Sequence, residues 1–380
     1  MPNIIWQIYP LGFTGAPVRP SEGERETTPR LRHICNWLDY AAAIGADTIL
    51  LNPIFESTTH GYDTIDHRKI DTRLGTDEDF DHLVKVCREK NLELVLDGVF
   101  NHVAESHELA TAGHVSGGDF EGHGDLLELD HSSPEVEDYV VDVMCHWLER
   151  GISGWRLDAV YATDPEFFAR VTTQVRERFP HAWFVGEMIH GDYNDYVAKA
   201  HLDSITQYEL WKAIWSSIKD RNFYELEWTL KRNAELTFTP MTFVGNHDTT
   251  RIASQVGEHG AAIAAVLLYT LPGIPAIYYG DEQGFTGVKE ERVGGDDAVR
   301  PTVPGSPEEL HEIGKWMYAL HEQLGRRRQA QPWIKDAQVE ITDIDNAVLA
   351  YRVFDENNSM NVRVELDPPR AEIDGESVGL

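Results

Sequence analysis

The sequence has few cysteines, few basic residues and no long apolar run. Its three cysteines, Cys35, Cys87 and Cys145, show no CxxC spacing. An odd and sparse set of cysteines favours reduced thiols over a disulfide framework, so a cytoplasmic location is expected. No stretch reaches about 18 consecutive apolar residues, which predicts that no helix crosses a membrane. The first residues, Met1 to Gln7, lack the basic and apolar pattern of a secretory signal.

The shortage of basic residues gives the chain a strong negative charge. Lysine and arginine number 33 against 64 aspartates and glutamates, so the formal net charge is −31. Because phosphate groups would be repelled, nucleic acids and anionic membranes are not expected as partners. A solvated, solubilising surface is the favoured explanation, and adaptation to salt or to an acidic cytosol is the alternative. The chain is also 42% hydrophobic and 10% aromatic, which is enough to form a sizeable core.

Short apolar runs alternate with amphipathic stretches along most of the chain. This alternation predicts βαβ units, and at this length it favours a closed (β/α)8 TIM barrel over an open doubly wound sheet. The lack of a GxGxxG motif after the first run argues against a dinucleotide-binding fold. The eight predicted strands are 4–9, 47–51, 93–97, 154–158, 183–187, 204–208, 241–244 and 275–279, with helices such as 79–90, 134–150 and 260–270 between them.

Two segments depart from this pattern. Residues 103–130, between the third strand and its helix, are rich in Gly, His and Glu and have no periodicity. They predict a short B-domain-like insertion at the top of the barrel, where substrate-shaping loops usually lie. After about Gln331, strand-like runs at 348–353 and 360–364 predict a small antiparallel β domain. The expected domains are therefore a barrel over 1–330 and a C-terminal β domain over 331–380.

Polar residues follow the apolar runs at several predicted strand ends. A single carboxylate at such a position is more often a helix cap or a loop acceptor than a catalytic group. Several carboxylates at one rim, with His and Arg among them, instead predict an active site, because catalytic groups of a (β/α)8 barrel lie where strands end. The residues concerned are Asp97, His102, Arg156, Asp158, Glu187, His247 and Asp248.

The motifs that carry these residues match a known family in order. Segments 97–102, 154–158 and 243–248, together with Glu187, resemble the four short motifs of the α-amylase superfamily, glycoside hydrolase family 13. Gly61-Tyr62-Asp63 and residues 273–282 at the eighth strand match as well. The resemblance covers about residues 4–330, and it implies a retaining mechanism on α-glycosidic bonds.

The resemblance implies a role for each of three carboxylates. Asp158 is implied to be the nucleophile that forms a β-linked glycosyl-enzyme, and Glu187 the acid/base. Asp248 is implied to grip sugar hydroxyls and to favour the oxocarbenium-like state. Retention needs one ionised and one protonated carboxyl group about 5–5.5 Å apart. Arg156 is expected to keep Asp158 anionic, while burial and the Asp158 charge are expected to raise the pKa of Glu187.

Other matched positions are implied to bind or support the substrate. His102 and His247 resemble hydroxyl-binding groups of one subsite, although a lone histidine is more often a core or surface residue. Tyr62 resembles the aromatic platform beneath the reacting sugar, with packing on Pro53 as the alternative. Asp97 also matches, and its implied role is to hold neighbouring site residues in place.

Two features depart from the endo-acting starch enzymes of the family. Many of these enzymes carry Lys and His shortly after the nucleophile, whereas Asp158 is followed by Ala-Val-Tyr-Ala. Together with the short insertion, this argues against a long starch-binding cleft. Asn101 matches one calcium ligand of the family, but Asp125 and Asp130 are equally well explained as solvated loop acids. No metal and no cofactor are therefore predicted, with calcium as the open alternative.

Asp63 and Arg300 favour a small, closed site. In exo-acting α-glucosidases that resemble this sequence, the Asp of the Gly-Tyr-Asp motif pairs with an Arg beyond strand eight and closes the pocket around the non-reducing-end sugar. Arg300 is at a suitable position in the sequence. An Asp63–Arg300 pair is therefore predicted, and a surface salt bridge of little energetic value is the alternative.

Three functions are compatible with these residues. The leading hypothesis is an α-glycoside hydrolase acting on short α-linked glucosides or oligosaccharides, with a small carbohydrate as its partner. A transglycosylase, phosphorylase or isomerase would use the same covalent intermediate and differ only in the acceptor. A non-catalytic barrel is disfavoured, because such relatives usually lack one or more of the three carboxylates, and all three are present here. The sequence predicts neither linkage nor oligomeric state.

Overall fold

Eight short parallel strands form a nearly closed sheet in the computed structural model of the chain, which describes residues 1–379. Each strand lies within one residue or two of its predicted position, except that the sixth is shorter. The barrel strands are β1 Ile5–Ile8, β2 Thr48–Leu51, β3 Glu93–Gly98, β4 Gly154–Leu157, β5 Trp183–Gly186, β6 Ser204–Ile205, β7 Met241–Phe243 and β8 Ile274–Tyr278.

The order of the strands around the sheet is β6-β5-β4-β3-β2-β1-β8-β7. A parallel bridge between Thr206 and Met241 connects the two outer strands. The sheet is therefore closed into the predicted (β/α)8 barrel, and the carboxyl ends of all eight strands meet at one rim.

Apolar side chains fill the barrel because consecutive residues of a strand point alternately inwards and outwards. Ile5, Leu50, Val95 and Val185 point inwards and belong to one buried cluster. A second and larger cluster lies between the strands and the surrounding helices. The continuous apolar runs of the sequence follow from burial on both faces.

Twelve α-helices connect and surround the strands in the described part of the chain. None of those formed by residues 1–379 combines the length and the apolar character needed to cross a membrane. The helices are α1 Pro10–Phe13, α2 Leu31–Cys35, α3 Leu38–Ala43, α4 Asp77–Glu89, α5 Glu108–Thr111, α6 Pro134–Arg150, α7 Pro165–Arg178, α8 Tyr193–Ala200, α9 Tyr208–Lys219, α10 Phe223–Asn233, α11 Ile252–Thr270 and α12 Lys315–Ala330.

Local sequence signals explain where the longer helices begin and end. Helix α6 begins with Pro134 at its first position and ends at Gly151, whose φ of 109° is the left-handed cap conformation that glycine adopts most easily. Helix α4 begins after Thr76, which forms a capping box with Asp79. Both helices were predicted, α6 with the same bounds.

The insertion after β3 is a small antiparallel sheet. Its strands are His102–Ala104, Val115–Phe120 and His123–Leu129, and α5 lies between the first two. The sequence predicted an excursion from the top of the barrel but not this sheet. The hairpin formed by Val115–Phe120 and His123–Leu129 is called the B hairpin below.

Five antiparallel strands form the C-terminal sheet, as predicted from the change of pattern near the end of the chain. This sheet packs against α10 and α11. One contact is a 2.6 Å hydrogen bond between the hydroxyls of Thr270 in α11 and Tyr351. The strands are β9 Gln338–Asp345, β10 Val348–Phe354, β11 Ser359–Leu366, β12 Pro369–Ile373 and β13 Glu376–Val378.

Candidate active site

Two of the predicted catalytic carboxylates leave neighbouring strands side by side. Leu157 of β4 pairs with Gly186 of β5, and Asp158 and Glu187 are the next residues of the two strands. The backbone N–H of Glu187 donates to the carbonyl oxygen of Leu157 at 2.8 Å. Both side chains are almost buried, with residue exposures of 6%. Register alone therefore brings the predicted nucleophile and the predicted acid/base together at the rim.

Arg156 lies between three carboxylates. Its Nη1 contacts both carboxylate oxygens of Asp97, at 2.6 and 2.7 Å, and Oδ1 of Asp158 at 3.1 Å. Its Nη2 lies 2.7 Å from Oε1 of Glu187. The arginine and Asp97 are buried, so water screens these charges little. One positive charge is thus shared among three acids.

Several influences act on the ionisation of Asp158, and burial is the largest of them. Burial raises the pKa of Asp158 well above its usual range, and the neighbouring Glu187 charge raises it further, against the opposing effect of Arg156. Arg156 was expected to keep Asp158 anionic, and it does lower the pKa of Asp158, but burial and Glu187 outweigh this effect, and the guanidinium also contacts Asp97. A second carboxylate this close opposes the ionisation of Asp158, because like charges repel.

Further contacts fix the orientation of Glu187. The hydroxyl of Tyr208 donates to Oε1 at 3.1 Å, and the backbone N–H of Ala159 donates to Oε2 at 3.2 Å. Ala159 adopts a left-handed conformation, with φ 47° and ψ 41°. This conformation is unfavourable for a residue other than glycine, and such strain tends to occur at functional sites.

Asp248 has a different environment from the other two acids. Its Oδ1 accepts a hydrogen bond from Nη2 of Arg300 at 2.7 Å, and its Oδ2 lies 2.8 Å from Nε2 of His247. Burial opposes its ionisation, but His247 and then Arg300 outweigh that effect and hold the pKa of Asp248 well below its usual range. Asp248 is therefore a permanently charged acceptor at the mouth, with a third of its side chain exposed.

Tyr62 and His247 form a stacked pair beside Asp248. Their ring centroids are 5.4 Å apart with an interplanar angle of 6°. The Tyr62 hydroxyl contacts Nε2 of His247 and donates to Oδ2 of Asp97 at 3.0 Å. The amide nitrogen of Gln7 faces Nδ1 of His247 at 3.2 Å. The Gln7 amide on one side of the ring therefore holds His247 with Nε2 facing Asp248 and Tyr62.

His102 meets the B hairpin. Its ring stacks on Phe120 with centroids 4.3 Å apart and an angle of 18°. Burial lowers the pKa of His102 to about 4, so the ring is neutral near pH 7. Its Nε2 is buried and has no hydrogen-bond partner among residues 1–379. Such a nitrogen is suited to a hydroxyl of a bound ligand.

The predicted Asp63–Arg300 pair is not formed. Across the described chain, the ion pairs of Arg300 are with Asp248 and with Asp296, the latter at 3.3 Å. Oδ2 of Asp63 accepts a hydrogen bond from the hydroxyl of Thr59 at 2.6 Å. The prediction is wrong because the ionised Asp248 lies closer to Arg300 and holds it. Arg300 thus contacts Asp248, the predicted third carboxylate, instead of pairing with Asp63.

Asn101 has protein partners in this structure. Its amide oxygen accepts a hydrogen bond from the hydroxyl of Thr163 at 3.1 Å, and its amide nitrogen lies 3.3 Å from Nδ1 of His102. Asp130 accepts hydrogen bonds from Ser132. No group of three or more His, Cys, Asp or Glu side chains suited to a metal occurs within residues 1–379.

Sequence reasoning missed several residues of the site. Asn52 at the end of β2 donates to Oδ2 of Asp97 and to the Tyr62 hydroxyl, both at 2.9 Å. Tyr208 was assigned to a strand and not to the site. The polar position after a buried strand was a usable signal for Asn52, whereas nothing in the sequence around Tyr208 pointed to Glu187.

A family model described as the alpha-amylase catalytic domain matches residues 7–121 and 119–365. A cyclomaltodextrinase of Geobacillus thermopakistaniensis (strain MAS1) is 29% identical over 98% of this chain and 70% of that protein. Neopullulanase 2 of Thermoactinomyces vulgaris is 26% identical over 89% of this chain and 66% of that protein. The chain spans about half to about 70% of the length of the curated relatives that it matches.

Solved structures agree with the sequence relatives. The cyclic α-maltosyl-(1→6)-maltose hydrolase of Arthrobacter globiformis superposes with a TM-score of 0.84 at 26% identity, over 95% of this chain and 90% of that chain. The same protein has been solved in complex with maltose, and that structure superposes with a TM-score of 0.83 at 25% identity. Because the family model covers most of the residues, the resemblance carried by the motifs is confirmed: this chain belongs to the alpha-amylase family and is a glycoside hydrolase of that type.

Proposed function

We propose that the chain hydrolyses α-glucosidic bonds of short α-linked gluco-oligosaccharides with retention of the anomeric configuration. The observation that carries this proposal is the position of Arg156, which holds Asp158 and Glu187 by the two nitrogens of one guanidinium. A retaining site needs two carboxyl groups that are close together and differ in protonation. Two acids held side by side by one cation meet the first need, and we propose that a proton on Glu187 meets the second in the reactive state.

In the first step, the reactive state has a proton on Glu187 and the charge on Asp158. Asp158 attacks the anomeric carbon while Glu187 protonates the departing glycosidic oxygen, so that a β-glycosyl ester forms and the aglycone leaves. Asp248 remains ionised beside the sugar ring and favours the positive charge of the oxocarbenium-like state. Tyr62, stacked on His247, is the proposed platform beneath that ring.

In the second step, Glu187 acts as a base. Its carboxylate takes a proton from a water molecule that attacks the anomeric carbon, and the ester bond to Asp158 breaks to release the α-anomer. Tyr208 and the N–H of Ala159 hold the Glu187 side chain in one orientation through both proton transfers. Asp97 keeps Arg156 in place, and His102 is proposed to bind a sugar hydroxyl through its free Nε2.

Short gluco-oligosaccharides are the proposed substrates for two reasons. The relatives carry names of enzymes for cyclomaltodextrins, pullulan and maltosyl-maltose, and one was solved with maltose. The B hairpin also folds over one side of the mouth, since Phe120 covers His102, which leaves less room for a long cleft. The three free cysteines fit a reducing compartment, so the cytoplasm is the proposed location.

The test is a panel of maltose, maltotriose, isomaltose, cyclodextrin and p-nitrophenyl glycosides, read by product chromatography and by proton NMR of the first product. We expect cleavage of short α-glucosides with initial release of the α-anomer, and loss of activity in Asp158→Asn. An initial β-anomer would contradict the retaining assignment. Products made only when phosphate or excess sugar acceptor is present would replace hydrolysis by phosphorolysis or transfer.

A further inference from the structure

Helix α10 exposes two large aromatic side chains on its outer face. Tyr224 is 47% exposed and Trp228 is 60% exposed. They are four residues apart, so their side chains are neighbours on one face, separated by about 6 Å along the helix axis. The opposite face of α10 is buried through Phe223, Leu226 and Leu230, which means that the core does not need the two exposed rings.

Arg232 extends this row by one more turn. Its guanidinium carbon lies 5.0 Å from the centroid of the Trp228 ring. The same guanidinium pairs with Glu209 at 3.2 Å. Glu209 is in the first turn of α9, which begins just after β6 at the catalytic rim. The row from Tyr224 through Trp228 to Arg232 therefore runs along the outside of the barrel towards that rim.

A groove of about 370 Å³ continues from Arg232. Its lining also includes Gly191 and Asp192, in the loop that follows Glu187. Most of its lining is polar, with carboxylates, amides and one guanidinium. The side chains involved are those of Asp192, Asn194, Gln207, Glu209, Arg232 and Glu235.

The aromatic and polar groups of this surface favour one class of ligand over others. Two half-exposed rings offer on the order of 250 Å², well below the roughly 800 Å² per partner of a stable protein interface. The surrounding carboxylates and the net charge of −31 disfavour anionic ligands. A neutral polyhydroxylated chain fits both features, because its C–H faces stack on the rings and its hydroxyls bind carboxylates, amides and the guanidinium.

We propose that the Tyr224–Trp228 face and the adjoining groove form a second binding site for α-linked glucan chains, outside the catalytic centre and directed towards its rim. The identity of the glucan as ligand rests on the proposed function, whereas the existence of a carbohydrate site on α10 does not. The site retains a chain on the enzyme while its end reaches the mouth. Binding and turnover are therefore separable measurements.

The test uses the full chain as wild type, Trp228→Ala, the double variant Tyr224→Ala/Trp228→Ala and Trp228→Phe. Val293→Ala, at a hydrophobic residue that is 87% exposed elsewhere, is the matched control. Retardation in native gels that contain soluble starch gives a dissociation constant without turnover. For the double variant we expect that constant to rise about tenfold, as for the loss of an aromatic anchor. Trp228→Phe keeps most of the retardation, and Val293→Ala keeps all of it.

Kinetics and sedimentation separate the remaining outcomes. The kcat/KM for a p-nitrophenyl α-maltoside is expected to change by less than about twofold in every variant, since these residues are on the surface. Retardation of the double variant equal to that of wild type would overturn the second site. A wild-type dimer that dissociates in the Trp228→Ala variant would also overturn it, in favour of a second copy as the occupant. Starch retardation that depends on Trp228 in a protein that cleaves no α-glucoside would support the site while refuting the proposed function.

Discussion

Arg156 sets the electrostatics of the site because it faces more negative charge than it can neutralise. Nη1 of Arg156 makes its two shortest contacts to Asp97 and a longer one to Asp158, while Nη2 contacts Glu187. Burial and the neighbouring Glu187 therefore raise the pKa of Asp158 despite its contact with Arg156. Asp248, which contacts both His247 and Arg300, stays ionised. The pKa values of Asp158 and Asp248 are thus shifted in opposite directions because their partners differ.

Replacing the acid and the nucleophile has distinguishable consequences. In Glu187→Gln, kcat/KM for a natural α-glucoside is expected to fall about 10²- to 10⁴-fold, because the alkoxide must leave without a proton. The loss is expected to be much smaller for a p-nitrophenyl glycoside, whose leaving group needs little acid help. Asp158→Asn removes the nucleophile and should abolish activity on both substrates. Steady-state kinetics on the two substrate types checks this, and equal losses in Glu187→Gln would contradict its role as acid.

The partners of single residues are the part of the site that sequence predicts least well. Asp158, Glu187 and Asp248 stood out because they follow apolar strands within recognisable motifs. The predicted Asp63–Arg300 pair is wrong because the choice of Arg300 between Asp63 and Asp248 depends on distances of a few ångströms, which the sequence does not show. The left-handed backbone of Ala159 was equally hidden, since alanine carries no signal for that conformation.

Among the elements, the B hairpin lies outside the barrel and contacts residues at the rim of the proposed active site. Phe120 stacks on His102, and Oε1 of Glu121 accepts a hydrogen bond from the hydroxyl of Tyr161 at 2.9 Å. Tyr161 comes three residues after Asp158, and its ring lies 5.4 Å from that of His190. The hairpin is therefore tied to the loops that carry both catalytic acids.

Removing the hydrogen bond between Tyr161 and Glu121 should raise KM more than it lowers kcat. Tyr161→Phe removes the hydroxyl and keeps the ring, and we expect KM for maltotriose to rise by about three- to tenfold, as for the loss of one ordinary hydrogen bond at the surface. The kcat value should change little, because Glu187 keeps its contacts to Tyr208 and Ala159. Glu121→Gln is the partner variant and should behave alike. A fall in kcat without a change in KM would show that Tyr161 acts on the chemical step instead.

Helix α11 depends on a buried arginine at its C-terminal end. Nη1 of Arg328 donates to the carbonyls of Tyr269 and Leu271 at 3.0 and 2.9 Å, and Nη2 donates to that of Gly273 at 2.5 Å. Arg328→Met would leave these buried carbonyls without donors, at a cost of about 3 kcal/mol or more in the free energy of unfolding. Urea denaturation measures this loss, and Arg326→Met, at an exposed neighbour in α12, is the control expected to be near neutral.

The elements themselves were largely predictable, and the reason is physical. Strands buried on both faces must be continuous apolar runs, and the helices that cover them must be amphipathic, so both repeat visibly along the chain. The sheet of the insertion was not predicted, because segment 115–120 is almost entirely solvent-exposed. No apolar alternation marks such a strand. The strand β6 is shorter than predicted because Gln207 caps α9 and Tyr208 begins that helix.

For the molecule as a whole, a buried acid makes stability depend on pH. Glu282, in the segment after β8, is 1% exposed and accepts hydrogen bonds from the Tyr40 hydroxyl at 2.9 Å and from the N–H of Gly280 at 3.0 Å. Its Oε2 also lies 3.5 Å from Nε1 of Trp6 in β1. Glu282 thus connects the first and last strands of the barrel with α3. Burial raises its pKa from 4.5 to about 7.

The sign of the effect follows from comparing folded and unfolded chains. Below pH 4.5 both states are protonated at Glu282, so the full stability is present. As pH rises from about 4.5 to about 7, the unfolded state loses the proton first, and the native state loses about 3 kcal/mol relative to it. Glu282→Gln cannot ionise and should not show this loss.

Urea unfolding at pH 5 and pH 8 tests the effect through a difference. The stability of Glu282→Gln relative to wild type should rise by an amount approaching 3 kcal/mol between the two pH values. All other titrating groups are common to both proteins and cancel. Glu312→Gln, whose side chain is 79% exposed, should follow wild type throughout. Parallel curves for wild type and Glu282→Gln would mean that Glu282 is ionised in the folded barrel at pH 5, held so by Tyr40 and Gly280 against the effect of burial.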